Sequence, residues 1–115
     1  MAWKKIFKSR EEANEIVAPN TMKLLIIGSV RICLMNFQGQ YYAIDDRCPH
    51  KGASLSKGKS NYLGEVICPL HEYRFRPTTG AEVNSLCHDV RTYPTKLEEN
   101  GLSIFMSTLN NDSCK

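Results

Sequence analysis

Hydrophobic and polar residues alternate in short runs along most of this chain, the period-2 pattern of half-buried strands. Trp3 to Phe7 alternates well enough for a first strand. Met22 to Ile27 and Val30 to Phe37 read as two strands joined by Gly28-Ser29, a pair favoured in tight hairpin turns. Gln38-Gly39 turns the chain into a further strand, Tyr41 to Asp45. Shorter strands are expected over Glu65 to Ile67, Arg74 to Arg76, Arg91 to Tyr93 and Lys96 to Glu98. Asn100-Gly101 predicts a last hairpin into Leu102 to Met106. The one helical signal is Ser9-Arg10-Glu11-Glu12, a capping box with Ser9 as N-cap. It opens at most a short helix, because Pro19-Asn20 breaks the pattern. Short strands, regular turns and one short helix predict an all-β sandwich or partly open barrel of antiparallel strands.

With 115 residues the chain has about one domain's worth of sequence. That domain is expected over 1–106, with a polar, frayed tail over 107–115. The formal charge of +3 comes from scattered Lys and Arg, which is no footprint for nucleic acid. The longest apolar run, Leu24 to Ile27, is far short of the ~20 residues that cross a bilayer. Met1 to Lys8 is basic but has no apolar stretch of a signal peptide, so the expected location is the cytoplasm, with no membrane partner. Five cysteines are an odd number for a disulfide framework, and the cytosol keeps thiols reduced. The cysteines therefore direct attention to metal chemistry.

Two segments carry it: Cys48-Pro49-His50-Lys51-Gly52 and Cys68-Pro69-Leu70-His71. Each offers one thiolate and one imidazole, and each follows a predicted strand end. The Pro after each Cys fixes one φ and narrows the loop's choices. Structural zinc usually pairs two Cys in one segment and two His in the other, whereas here each segment mixes the two. A Cys-x-His and a Cys-x-x-His segment at this separation are the ligand pattern of a Rieske [2Fe–2S] cluster, in which two cysteines hold one iron and two histidines the other. Two ferric ions, two sulfides and two thiolates sum to zero, so the oxidised centre is neutral and the reduced one carries a single negative charge. Neutral imidazoles in place of two thiolates make reduction easier. A ligating His also keeps a second ring nitrogen free to hold a proton.

From Cys48 to Gly80, and in weaker form from Met22 to Met106, the sequence resembles a Rieske ferredoxin, the single-domain type that serves multicomponent oxygenases. Tyr42 to His50, Leu55-Ser56-Lys57-Gly58, Cys68 to His71, Arg74-Phe75, Thr79-Gly80 and Tyr93-Pro94 carry the likeness. The resemblance implies two small antiparallel sheets with a cluster-binding subdomain, about 46–80, inserted between strands. It implies Cys48, His50, Cys68 and His71 as cofactor and metal ligands, with the cysteines on the buried iron and the histidines on the outer one. It also implies redox partner proteins: a flavin-dependent reductase as electron donor and a terminal oxygenase as acceptor, the carrier being a monomer or weak dimer. The disulfide cysteines of high-potential Rieske proteins are replaced at Ala53 and Leu70. Tyr73 and Phe75 stand where those proteins place a Ser and a Tyr hydroxyl against sulfur. Fewer hydrogen bonds to sulfur predict a potential towards the lower end of the roughly −150 to +300 mV Rieske range. Glu72 is unusual, since many relatives have Gly after the second His.

Other readings set the limits. A non-dissociating small subunit of an assimilatory nitrite reductase is the alternative within the resemblance, and a zinc-stabilised interaction module the alternative outside it. Catalysis in isolation is not expected: once His50 and His71 are used, only His88 remains for a mononuclear iron site. Cys87-His88 reads as a decoy pair in which Cys87 packs against or shields the cluster. Cys33 reads as a buried apolar residue, Cys114 as a tail thiol and Trp3 as packing. Lys51, Lys57, Lys59, Arg74 and Arg76 are either solvated loop charges or a collar steering an acidic partner.

Overall fold

Among residues 2–49, 52–70 and 72–106, which the computed structural model describes, the alternating runs become ten strands and one helix. His50, Lys51, His71, Cys114 and the whole expected tail over 107–115 lie outside the described residues. The elements are β1 (Ala2–Phe7), α1 (Arg10–Ile16), β2 (Thr21–Ile27), β3 (Val30–Phe37) and β4 (Gln40–Asp45). A single 3-10 turn (Leu55–Lys57) precedes β5 (Lys59–Ser60), β6 (Val66–Ile67) and β7 (Arg74–Phe75). The chain ends its described part with β8 (Thr92–Tyr93), β9 (Thr95–Glu98) and β10 (Gly101–Met106). All pairings are antiparallel and form three sheets: β1-β10-β9, β2-β3-β4-β8 and β5-β6-β7. Because β8 pairs with β4, the third sheet and its loops are an excursion between two neighbouring strands of the second.

The turns follow from residues that tolerate positive φ. Gly28 opens the β2–β3 turn at φ 63°, and Gln38 and Gly39 at 54° and 89° make the β3–β4 turn. There the Gly39 N–H donates to Asn36 Oδ1 at 2.9 Å. The last hairpin departs from expectation by one position. Gly101 already pairs with Glu98, so Glu99 and Asn100 form the turn and Gly101 is the first strand residue. Its glycine serves a close approach: a Cβ there would lie 2.1 Å from the Phe7 carbonyl oxygen of β1. The capping box also forms in altered shape. Ser9 Oγ accepts from Glu12 N–H at 3.0 Å, but the Glu12 carboxylate takes the N–H of Lys8, one residue earlier, at 2.7 Å.

β3 reads as an almost unbroken apolar run because both of its faces are covered. Ile32 and Leu34 join Phe7, Ala13, Val17, Tyr41, Ala43, Leu102 and Ile104 in one core. Cys33 and Met35, pointing the other way, join Ile44, Leu55, Val66, Phe75 and Val90 in a second, together with Cys48 and Cys68. Cys33 is thus buried as expected, its S–H donating to Met22 Sδ at 3.6 Å, and burial pushes its thiol far above the ordinary value. Trp3 packs edge-on against Phe105, its cross-strand partner on β10, with ring centroids 5.3 Å apart. Trp3 itself stays exposed, whereas each fully buried aliphatic or aromatic side chain of the two cores contributes about 1.5–3 kcal/mol relative to exposure.

Candidate metal centre

Two tight loops deliver the paired cysteines. In the first, Cys48 N–H donates to the Ala53 carbonyl at 2.9 Å and Gly52 N–H to the Cys48 carbonyl at 2.7 Å. In the second, Cys68 N–H donates to the Tyr73 carbonyl at 2.7 Å. Both closures span five residues, and in both the residue four places after the Cys is left-handed: Gly52 at φ 77° and Glu72 at φ 57°. The same closure, a Cys N–H bonded five places on with a left-handed residue just before the acceptor, therefore occurs twice. It leaves Cys48 1% and Cys68 0% exposed, with the positions of His50 and His71 between each Cys and its closing carbonyl.

The sulfurs meet. Cys48 and Cys68 share a side-chain hydrogen bond, and Leu70 N–H bonds to the Cys68 sulfur. Burial pushes the Cys68 thiol up to about 11; the Leu70 N–H opposes this, while Cys48 and Cys87 add to it. Neither cysteine is in a disulfide. Cys87 is half-buried and packs against this second core. Burial is the main reason its thiol lies above the ordinary value, with the charges of Cys48, Glu82 and Asp89 adding to the shift. Among the described residues, no group of three or more His, Cys, Asp or Glu is placed to hold a metal ion, so Cys48, Cys68 and Cys87 do not form a three-thiol site.

Two buried carboxylates that the sequence reading passed over hold the loops. Asp46, 1% exposed, accepts from Ser54 O–H at 2.5 Å and Ser56 N–H at 2.8 Å, while its own carbonyl takes Leu55 N–H at 2.6 Å. It ties the entry of the first loop to its exit. Glu82, 3% exposed, accepts from Asn84 N–H at 2.7 Å, Leu86 N–H at 2.9 Å and Arg74 N–H at 3.3 Å. It ties the exit of the second loop to the loop carrying Cys87. Burial acts to raise the Glu82 carboxyl, but the three backbone N–H groups and Arg74 outweigh it and leave the value lowered. Asp46 stands in the run Tyr42 to His50 that carries the likeness, but nothing local marks it or Glu82 as a carboxylate that will be buried.

The charged collar is thinner than the sequence allowed. Arg74 pairs with Glu65 at 3.5 Å, so it is partly neutralised, whereas Lys57, Lys59 and Arg76 are exposed. Leu70 is exposed, Ala53 half-buried and Phe75 fully buried. A shallow cleft where the base meets the excursion is lined by Phe37, Tyr42, Leu63 and Arg76 and contains none of the expected ligands. No helix among the described residues is long and apolar enough to cross a membrane.

Two free, buried thiols brought into mutual contact by matching loops are a soft donor pair suited to iron. This agrees with what the chain is similar to. Residues 3–94 match the family model of the Rieske [2Fe-2S] domain, and the chain belongs to that family. Within it, the ferredoxin subunit of 3-phenylpropionate/cinnamic acid dioxygenase from Shigella boydii is 39% identical over 89 residues, covering 76% of this chain and 82% of that protein. The ferredoxin of carbazole 1,9a-dioxygenase from Nocardioides aromaticivorans has the same fold, with TM-score 0.80 at 21% identity over 93% of this chain and 100% of that one. A chain of the complex of reduced oxygenase and oxidized ferredoxin in carbazole 1,9a-dioxygenase matches with TM-score 0.73 at 25% identity, covering 89% of this chain and 91% of its own.

Proposed function

We propose that this chain is a one-electron carrier whose [2Fe–2S] cluster is bound by Cys48, His50, Cys68 and His71. It takes electrons from a flavin-dependent reductase and delivers them to a terminal oxygenase, and it does not itself catalyse a reaction. One domain spans 1–106, with 46–80 as the cluster-binding subdomain. The observation that carries the reading is the repeated loop, which brings Cys48 and Cys68 together with one His position inside each loop. The ferredoxin component of a dioxygenase, 39% identical, favours a dissociable carrier over a tightly held reductase subunit.

The cluster supplies a site that gains and loses one electron at a time. The rest is done by this chain's residues. Cys48 and Cys68 anchor the buried side, surrounded by Leu55, Val66 and Phe75, which keep water from the sulfurs. Leu70 N–H places a fixed dipole on the Cys68 sulfur and favours its negative charge. Asp46 and Glu82 keep the loops in place whichever charge the centre holds, so that little reorganisation accompanies electron transfer.

EPR of the purified protein before and after dithionite, with iron, zinc and sulfide assays, tests the reading. The expected result is a rhombic signal only in the reduced sample, with two irons and two sulfides per chain, lost in Cys48→Ala and His71→Ala. A colourless, EPR-silent protein with one zinc and no sulfide would sink it.

A further inference from the structure

Gly58 lies where the exit of the first cysteine loop touches the second. The Asp46 carbonyl takes Leu55 N–H at 2.6 Å, and its carboxylate takes Ser56 N–H at 2.8 Å. Gly58 N–H then closes the 3-10 turn onto the Leu55 carbonyl at 3.0 Å. The next residue, Lys59, pairs with Ile67, which directly precedes Cys68. A Cβ on Gly58 would lie 1.9 Å from the Ile67 carbonyl oxygen, 3.1 Å from its carbonyl carbon and 3.2 Å from Pro69 Cδ. Those atoms belong to the residues on either side of Cys68. Of the seven glycines, Gly58 alone is crowded by that segment. Its φ of −84° is not left-handed, so contact and not backbone conformation is what demands glycine.

We infer that Gly58 is a positioning residue for the metal centre: its bare backbone, pressed against the residues flanking Cys68 and tied through Asp46 to the Cys48 loop, sets the separation of the two loops. The inference rests on the assignment of Cys48 and Cys68 as ligands of one cluster. The linkage is short and made of backbone. Asp46 stands two residues before Cys48, and Ile67 one residue before Cys68. A close-packed interior has no slack to absorb an added methyl, and here no flexible side chain can swing aside. The 1.9 Å separation would have to open by about 1 Å or more to reach ordinary contact. Metal–ligand distances tolerate only about 0.2 Å, so a shift of that size between the loops is felt at the cluster.

The test compares wild-type, G58A and G64A holoproteins by EPR of the reduced sample, iron release to a chelator and urea unfolding. Gly64 is the control. It lies in the β5–β6 turn at φ 79°, and a Cβ there meets the Phe37 ring at 2.9 Å but neither cysteine loop. G64A should lose stability yet keep the wild-type g values. G58A should show displaced g values and release iron about tenfold faster than wild type. A G58A spectrum and iron release equal to wild type overturn the inference. Equal changes in G58A and G64A also overturn it, since they would reflect general loosening. Where G58A does not fold, native-state hydrogen exchange of the wild-type holoprotein decides. The Gly58 and Cys68 amides should then open together as urea rises, and independent opening overturns the linkage. Failure of the underlying assignment looks different: the wild type itself would lack a two-iron, two-sulfide Rieske spectrum.

Discussion

In the first cysteine loop, Cys48 closes onto Ala53 and the left-handed position is Gly52; in the second, Cys68 closes onto Tyr73 and that position is Glu72. The backbones repeat, yet the supports differ. The first loop is held locally: Asp46 sits two residues before Cys48 and grips Ser54 and Ser56 just beyond Ala53. The second is held from a distance, since Glu82 joins Arg74 to the Cys87 loop. Two sulfurs that must act together are thus fixed by one self-contained loop and one that depends on a third segment. The base sheets use neither device. Apart from the two-residue β8 their strands run four to eight residues, and their core is aliphatic and aromatic apart from Asn36, whose Nδ2 donates to the Val17 carbonyl at 2.7 Å.

The largest effect should come from removing the local support. Asp46→Ala leaves the Ser54 hydroxyl and the Ser56 N–H without their buried acceptor, and hydrogen bonds to a charged group are worth about 1.5–3 kcal/mol each. Urea unfolding should show a loss of about 3 kcal/mol, and the holoprotein should lose iron to a chelator much faster than wild type. Iron retention equal to wild type would mean that the first loop closes without its carboxylate, and the contrast between the two loops would fail.

Glu82→Gln should do less, because the amide oxygen can still accept from Asn84 and Leu86 while only the Arg74 contact is lost. About 1–2 kcal/mol is expected, with a pH signature. The folded Glu82 carboxyl lies below its ordinary value of about 4.5, so its stabilisation is fully present above that value. It is lost as pH falls from there through the lowered folded value. The groups that set this are the backbone N–H groups of Leu86, Asn84 and Arg74 and the Arg74 guanidinium, itself paired with Glu65. Urea midpoints measured from neutral pH into the acid range should therefore fall less steeply for E82Q than for wild type. Parallel slopes would show that Glu82 is not the titrating clamp.

How much of this was readable depends on how far apart the partners lie in sequence. The β2–β3–β4 meander was legible because turn residues and alternation are local signals, and both turns fall at the predicted Gly28 and Gly39. The Cys48 and Cys68 pair was legible because spacing within each motif is local as well. The 3-10 turn at Leu55 and the two-residue strand β5 were missed, since runs that short have no period to read. The last hairpin slipped by one residue because Asn100-Gly101 is a strong turn signal, whereas Gly101 is required by Phe7, from the far end of the chain. Asp46 and Glu82 went unseen for the same reason: nothing local distinguishes a buried carboxylate from a solvated one until its donors are brought to it.

The smallest effects test the repeat itself, at Gly52 and Glu72. Both positions are left-handed, and a side chain there costs on the order of 1 kcal/mol relative to glycine. Among the described residues a Cβ at Gly52 would meet Arg47 Cγ at 3.8 Å, an ordinary contact, so the cost expected is the backbone strain. Gly52→Ala should cost about 1 kcal/mol in urea unfolding. Glu72→Gly relieves the same strain but makes the unfolded chain more flexible, which offsets roughly 0.4–1 kcal/mol of the gain. The net change should lie within about 0.5 kcal/mol of wild type, on the stabilising side. A clear loss on Glu72→Gly would show that the Glu72 side chain makes a contribution its exposed position does not reveal. In that case the two loops would be alike in backbone shape but not in what holds that shape.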